Sequence, residues 1–125
     1  MSEKYNIKIS VDTTYLPEQS EPMQDQYVFV YEITIHNKGT EALKLVNRHW
    51  IITDGNQKVI EVDGAGVVGQ TPRIDSGQKY HYSSGTLIET PLGMMEGRYE
   101  MVSDDGVTFE AEIPRFQLKA HLLVH

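Results

Sequence analysis

The residues most suggestive of chemistry are three glycines, Gly64, Gly66 and Gly69, in the stretch Asp63-Gly64-Ala65-Gly66-Val67-Val68-Gly69. Their G-x-G-x-x-G spacing is that of dinucleotide-binding loops, which work by aiming the N-terminus of a following helix at a pyrophosphate. Here Thr71-Pro72 and then Asp75-Ser76-Gly77 follow at once, which is turn chemistry leading into a strand. No β-α-β pattern surrounds them, so a Rossmann site is not expected. Two readings that need a ligand or partner survive. Successive amides can form a nest for an anion without any helix, with Arg73 assisting and Asp63 opposing. Alternatively, the loop is a peptide-docking surface. A purely structural reading explains the same residues: the glycines permit a tight crossover between sheets, with Val67 and Val68 tucked against the core.

The five histidines are His36, His49, His81, His121 and His125. His121 and His125 have helical i, i+4 spacing, but no H-E-x-x-H accompanies them and two ligands make a weak metal site. His49, beside Trp50, reads as a local hydrogen-bonding residue. Glu61, Asp63 and Asp75 flank the glycine loop and suit a hard cation, although surface charge explains them equally well. Ser83-Ser84-Gly85 lacks the G-x-S-x-G elbow and reads as a strand end with a glycine bend. There is no cysteine, which removes disulfides, thiolate nucleophiles, iron–sulfur clusters and Cys-ligated zinc. Neither a catalytic residue nor a cofactor is expected. Lys44, Arg48, Lys58 and Arg73 cluster loosely, but eighteen acidic against eleven basic side chains give a net charge of −7. That balance argues against nucleic acid and anionic membranes as partners.

The elements positioning these residues are strands. With 125 residues the chain fits a single domain spanning 1–125. It lacks the apolar stretch of a signal peptide or a membrane span, so a soluble, cytoplasmic protein is expected. Period-two alternation places Tyr5, Ile7, Ile9 and Val11 on one face of a first strand. Pro17 to Pro22 reads as a turn. Tyr27 to His36 reads as a second strand near a sheet centre, with Phe29, Tyr31, Ile33 and Ile35 inward. Asn37-Lys38-Gly39-Thr40 follows as a turn using a positive-φ glycine. Leu43 to Thr53 is a third strand, and Asp54-Gly55 predicts a hairpin returning through Lys58 to Val62. Residues 63–72 read as irregular. Gln78 to Thr86 is a further strand, and 87–95 an unusually apolar connection. Gly97 to Ser103 and Val107 to Ile113 form a hairpin, with Phe116 and Leu118 extending the last strand or covering an edge. This is an all-β pattern, an immunoglobulin/fibronectin-III-like β-sandwich of about seven antiparallel strands. Trp50 would be its core tryptophan and Tyr99 its tyrosine corner, two residues before an inward Met101 rather than a cysteine.

Segments along nearly the whole chain resemble one family, the bacterial ApaG proteins. They include Tyr27-Val28-Phe29, Asn47-Arg48-His49-Trp50, Thr53-Asp54-Gly55, Gly64-x-Gly66-Val67-Val68-Gly69-x-x-Pro72 and Tyr82-x-Ser84-Gly85. Glu89-Thr90-Pro91-Leu92-Gly93-x-Met95-x-Gly97-x-Tyr99 and Ile113-Pro114-x-Phe116-x-Leu118 continue the series. The resemblance implies a fibronectin-III-like sandwich with no established catalytic activity, and a genetic link to cobalt resistance and magnesium efflux. Similar eukaryotic domains are thought to mediate protein–protein contacts. A non-enzymatic interaction module is therefore expected, a monomer or weak homodimer whose protein partner is unknown. Its docking surface is expected at one sandwich end, where the 63–73 loop joins 87–95: Gly64, Gly66, Val67, Val68, Gly69, Arg73, Leu92 and Met94. The alternative is a sensor whose glycine loop binds pyrophosphate, a dinucleotide or a divalent cation.

Overall fold

The computed structural model describes residues 4–120. They form eight strands: β1 (Ile7–Tyr15), β2 (Tyr27–Asn37), β3 (Leu43–Asp54), β4 (Val59–Ala65), β5 (Arg73–Ile74), β6 (Lys79–Ile88), β7 (Leu92–Ser103) and β8 (Thr108–Lys119). A three-stranded sheet in the order β1-β2-β6 faces a five-stranded one in the order β4-β3-β7-β8, with β5 paired to β3. Every pairing is antiparallel. This is the expected sandwich. Helical content among the described residues is two short 3-10 turns, Pro17–Gln19 and Pro22–Gln24. Among the described residues no helix is long and apolar enough to cross a membrane.

Alternation explains the layers. Phe29, Ile33 and Ile35 of β2 are completely buried, as are Leu43 and Leu45 of β3 and Tyr99 and Met101 of β7. Trp50 joins the sheets, with Tyr31, Phe116 and Tyr99 at centroid distances of 5.3, 5.9 and 6.4 Å, all edge-on. Such geometry sets the positive ring edge against a negative ring face. β2 lies centrally in its sheet, which is why its outward Val28 and Val30 are half-buried.

Several local expectations need correction. Segment 87–95 is no connection: β6 runs through Ile88 and β7 starts at Leu92, leaving Glu89-Thr90-Pro91 as the turn. Thr90 makes so short a turn possible, its hydroxyl accepting from Gly55 N and donating to Leu92 O, both at 2.8 Å. Residues 63–65 are not irregular but complete β4. Ser83-Ser84-Gly85 lies inside β6 rather than at its end. The two-residue β5 was hidden because it has no periodicity to read; buried Asn37 fastens it by donating to Ile74 O at 2.9 Å. In the hairpin after Asp54 the left-handed residue is Gln57, at φ 69°. The Asp54 carboxylate closes that turn by accepting from the amides of Asn56 and Lys58. Gly39 is absent from the positive-φ residues. It is needed because a Cβ there would lie 2.3 Å from Lys4 O. Tyr99 makes no tyrosine corner. Its hydroxyl meets that of Tyr82 at 2.5 Å, joining β7 to β6 through the core.

Candidate functional site

β4 leaves its ladder at Ala65 and the chain reverses over Gly66 to Gln70. Val67 and Gln70 exchange both backbone hydrogen bonds, at 2.8 and 2.9 Å. Between them Val68 and Gly69 sit at φ +48° and +76°, the sign pattern of a two-residue hairpin turn that normally carries Asn-Gly. Gly66, at φ +59°, is fixed by crowding as well, since a Cβ would lie 2.0 Å from Gln70 O. The turn drives Val67 into the core, where it is completely buried, and leaves Val68 more than half exposed.

Polarity in this loop runs opposite to an anion nest. The amides of Gly66, Val67 and Gln70 donate to Val46 O, Gln70 O and Val67 O respectively. The carbonyls of Ala65 and Gly66 instead converge on a cation, each accepting from Arg48, at 3.0 and 2.9 Å. Gly64 makes the room: a Cβ there would lie 2.7 Å from the guanidinium carbon. Gly64, Gly66 and Arg48 thus form one internal clamp that pins the loop across the sandwich edge. A small cleft of about 150 Å³ beside it is lined by Tyr31, Arg48, Trp50, Val68, Tyr82 and Ser84.

The charged groups expected to serve the loop have partners of their own. Arg73 pairs with Asp75 and, through two nitrogens, with Asp104. That pairing raises the Arg73 pKa and holds the Asp104 carboxyl below its usual range. His49 lies between two carboxylates of β4, with Nδ1 at 2.5 Å from Asp63 and Nε2 at 3.3 Å from Glu61. Asp75 is held by Arg73 instead, so the three acids flanking the loop do not meet. Among the described residues no group of three or more His, Asp or Glu is placed to hold a metal ion. His81 contacts Thr34 Oγ1 at 3.1 Å, and His121 and His125 lie outside the described residues. Lys58 pairs with Glu89, so three of the four loosely clustered basic residues, Arg48, Lys58 and Arg73, have partners within the domain. Burial pushes the Tyr82 and Tyr99 hydroxyls well above the usual phenol range.

Leu92 and Met94, expected beside the glycine loop, are separated from it by the register. Gly64 pairs with Arg48, whereas Met94 pairs with Thr53 and Gly93 with Asp54. At the strand rise this puts them roughly 15–20 Å apart along β3. Leu92 and Met94 line a shallow depression with Thr53, Gln57, Glu96 and Arg115, on the outer face of the five-stranded sheet. Val67, also nominated for docking, is inaccessible.

A different surface emerges. β4 ends the five-stranded sheet and β6 ends the three-stranded one, and the loop at 66–70 bridges the gap between them. Here Ile60, Val62, Val68 and Leu87 are 36–59% exposed, while Val59 stands on the outer face of β4 with Glu61 and Asp63. Ile60 and Leu87 both line a cleft of about 190 Å³, together with Ile52, Asp54, Lys58, Ile88 and Glu89. The alternation in Val59-Ile60-Glu61-Val62-Asp63 was visible in the sequence. The strand order that leaves its apolar face uncovered was not.

The ApaG domain family matches residues 17–103 of the chain. Protein ApaG of Thiobacillus denitrificans is 53% identical over 122 residues, spanning 98% of this chain and 96% of that protein. Protein ApaG of Nitrosospira multiformis is 50% identical with the same coverage. A crystal structure described as an ApaA protein of Bordetella pertussis superposes with a TM-score of 0.93 at 43% identity, over 98% of this chain and all of that one. A protein from Archaeoglobus fulgidus, 11% identical with a TM-score of 0.52, shares the fold alone. Similarity over nearly the full length, in sequence and in sandwich topology alike, makes this chain a member of the ApaG family.

Proposed function

We propose that this protein acts in the cytoplasm by binding another protein, without catalysis, and that it does so through the open side between β4 and β6. One observation carries the reading. Of the exposed large apolar residues, Ile60 and Val62 of β4, Val68 of the loop and Leu87 of β6 lie along the two strand edges and the loop that border this opening, and Ile60 and Leu87 line one cleft there. Single exposed apolar side chains are ordinary, but a contiguous strip rimmed by charge is the mark of an interaction surface. The rim consists of Lys58, Glu61, Asp63 and Glu89. The family's connection to cobalt and magnesium handling then runs through the partner rather than through an ion bound here.

Affinity capture from cell extract tests this, comparing the natural protein with an Ile60→Asp/Leu87→Asp variant. Both positions are about half exposed, so the variant is expected to fold with an unchanged amide NMR pattern away from the strip. The natural protein should retain a discrete set of proteins that the variant loses. Identical recoveries would remove the basis for this surface.

A further inference from the structure

The two sides of the sandwich are protected very differently. On one side β1 and β8 shelter each other: Tyr5 stacks near Phe109 at 5.6 Å and Thr13 Oγ1 reaches Gln117 O at 3.5 Å. β8 also carries Pro114 where its register against β7 shifts, and prolines and bulges are standard defences of an edge strand. β4 has neither. It pairs with β3 without interruption from Asn47↔Ala65 to Thr53↔Val59, contains no proline or lysine, and has three β-branched residues among its first four. An uncovered strand of this kind is a template for pairing with another chain.

We infer that the outer edge of β4 accepts a partner's extended segment as an added strand, and that this segment alternates apolar residues with Lys or Arg. The inference rests on the reading of the protein as a binding module and specifies the chemistry of its partner. Backbone hydrogen bonds along the free edge hold the guest, and its two faces are read separately. On the inner face Ile60 and Val62 continue the rows of Ile52 and Trp50, and Ile60 shares a cleft with Ile88 and Leu87 of β6 across the gap, so apolar guest side chains close the open side. On the outer face stand Glu61 and Asp63, whose side chains are 60% and 77% exposed. Their two-residue spacing repeats at about 6.5 Å, the same-face repeat of any strand laid beside them. Opposite charges side by side on adjacent strands are favourable and like charges are not. His49 touches both carboxylates and neutralises at most one. A second copy of this chain is the wrong guest. Its own Glu61 and Asp63 would face these, and each chain brings a net charge of −7.

The test is an amide NMR titration and hydrogen-exchange measurement on the labelled protein with three blocked seven-residue peptides. One is Lys-Val-Lys-Ile-Lys-Val-Lys, the second replaces every Lys by Glu, and the third is the lysine peptide in a non-alternating order. The alternating lysine peptide should give saturable shifts in residues 59–65 and at Leu87. It should slow exchange of β4 amides at least tenfold, with affinity falling as salt is raised. Glu61→Gln/Asp63→Asn should weaken it without helping the glutamate peptide, and Glu61→Lys/Asp63→Lys should reverse the preference. The inference is overturned by no saturable shift at millimolar peptide, by equal binding of all three peptides, or by protection of β6 instead. A concentration-dependent dimer with protected β4 would likewise replace the guest by a second copy. If the peptides fail while capture still depends on Ile60 and Leu87, strand addition is wrong and the binding surface stands. If capture shows no dependence, the broader reading falls whatever the peptides do.

Discussion

Val68 holds a β-branched side chain at φ +48°, a conformation that costs an ordinary L-residue about 1–2 kcal/mol. Asn is the residue such a turn prefers, so Val68→Asn is expected to raise the unfolding free energy measured in urea by about 1 kcal/mol. A loss would show that the isopropyl group contributes packing of its own. The glycines rank by what a Cβ would meet. Gly69→Ala meets nothing within 4 Å and should cost only its conformational penalty, about 1 kcal/mol. Gly64→Ala must displace the Arg48 guanidinium and should cost more. Gly66→Ala adds a collision with backbone to an unfavourable φ and should cost most. The Tyr82–Tyr99 pair makes a sharper test by double-mutant cycle. Either Tyr→Phe change alone leaves a buried hydroxyl without its partner, at about 1–3 kcal/mol, whereas removing both hydroxyls should be close to neutral. Both phenol pKa values are raised in the folded state. Their contribution is therefore complete below the unfolded value near 10 and is lost as pH rises beyond it. Thermal melts between pH 8 and 11 should show that decline, and the double Phe variant should show less of it.

At the scale of elements, the sequence was legible wherever one face is buried and the other wet. Phe29, Tyr31, Ile33 and Ile35 announced β2 because period-two alternation has one cause. The Asp104-Asp105-Gly106 turn announced β7 and β8, with Gly106 at φ 87°. Legibility failed where long-range contacts decide. Apolar residues at 87–95 looked like a sticky loop because Ile88 and Met95 are buried from two different strands. The anion reading of the glycine loop stayed open because its carbonyls' partner, Arg48, lies 16 residues before Gly64 in the chain. Nor did any local signal say which strands end the sheets. The resulting architecture predicts a gradient of amide exchange. β2, β3 and β7 each have strands on both sides and should exchange slowest, near the global unfolding limit, whereas β4 should open locally and exchange orders of magnitude faster. Equal protection of β3 and β4 in the free protein would mean that the β4 side is covered by some contact.

For the molecule as a whole, one side is sealed by β1 against β8 and the other is left open between β4 and β6. The aromatic centre of the core is Trp50 among Tyr31, Tyr99 and Phe116, all apart from the exposed side chains of Ile60, Val62 and Leu87. Trp50→Ala should accordingly cost about 3–5 kcal/mol, while charge substitutions on the exposed strip should barely move the melting temperature. Stability and recognition are thus separable. The most direct measurement is site-specific photo-crosslinking in living cells, with the reactive side chain at Leu87, at Met94 or at Val107, all surface positions on different parts of the sandwich. Discrete adducts from Leu87, with little from Met94 or Val107, are the expected result. Adducts from Met94 alone, or equally from all three positions, would contradict recognition through the open side.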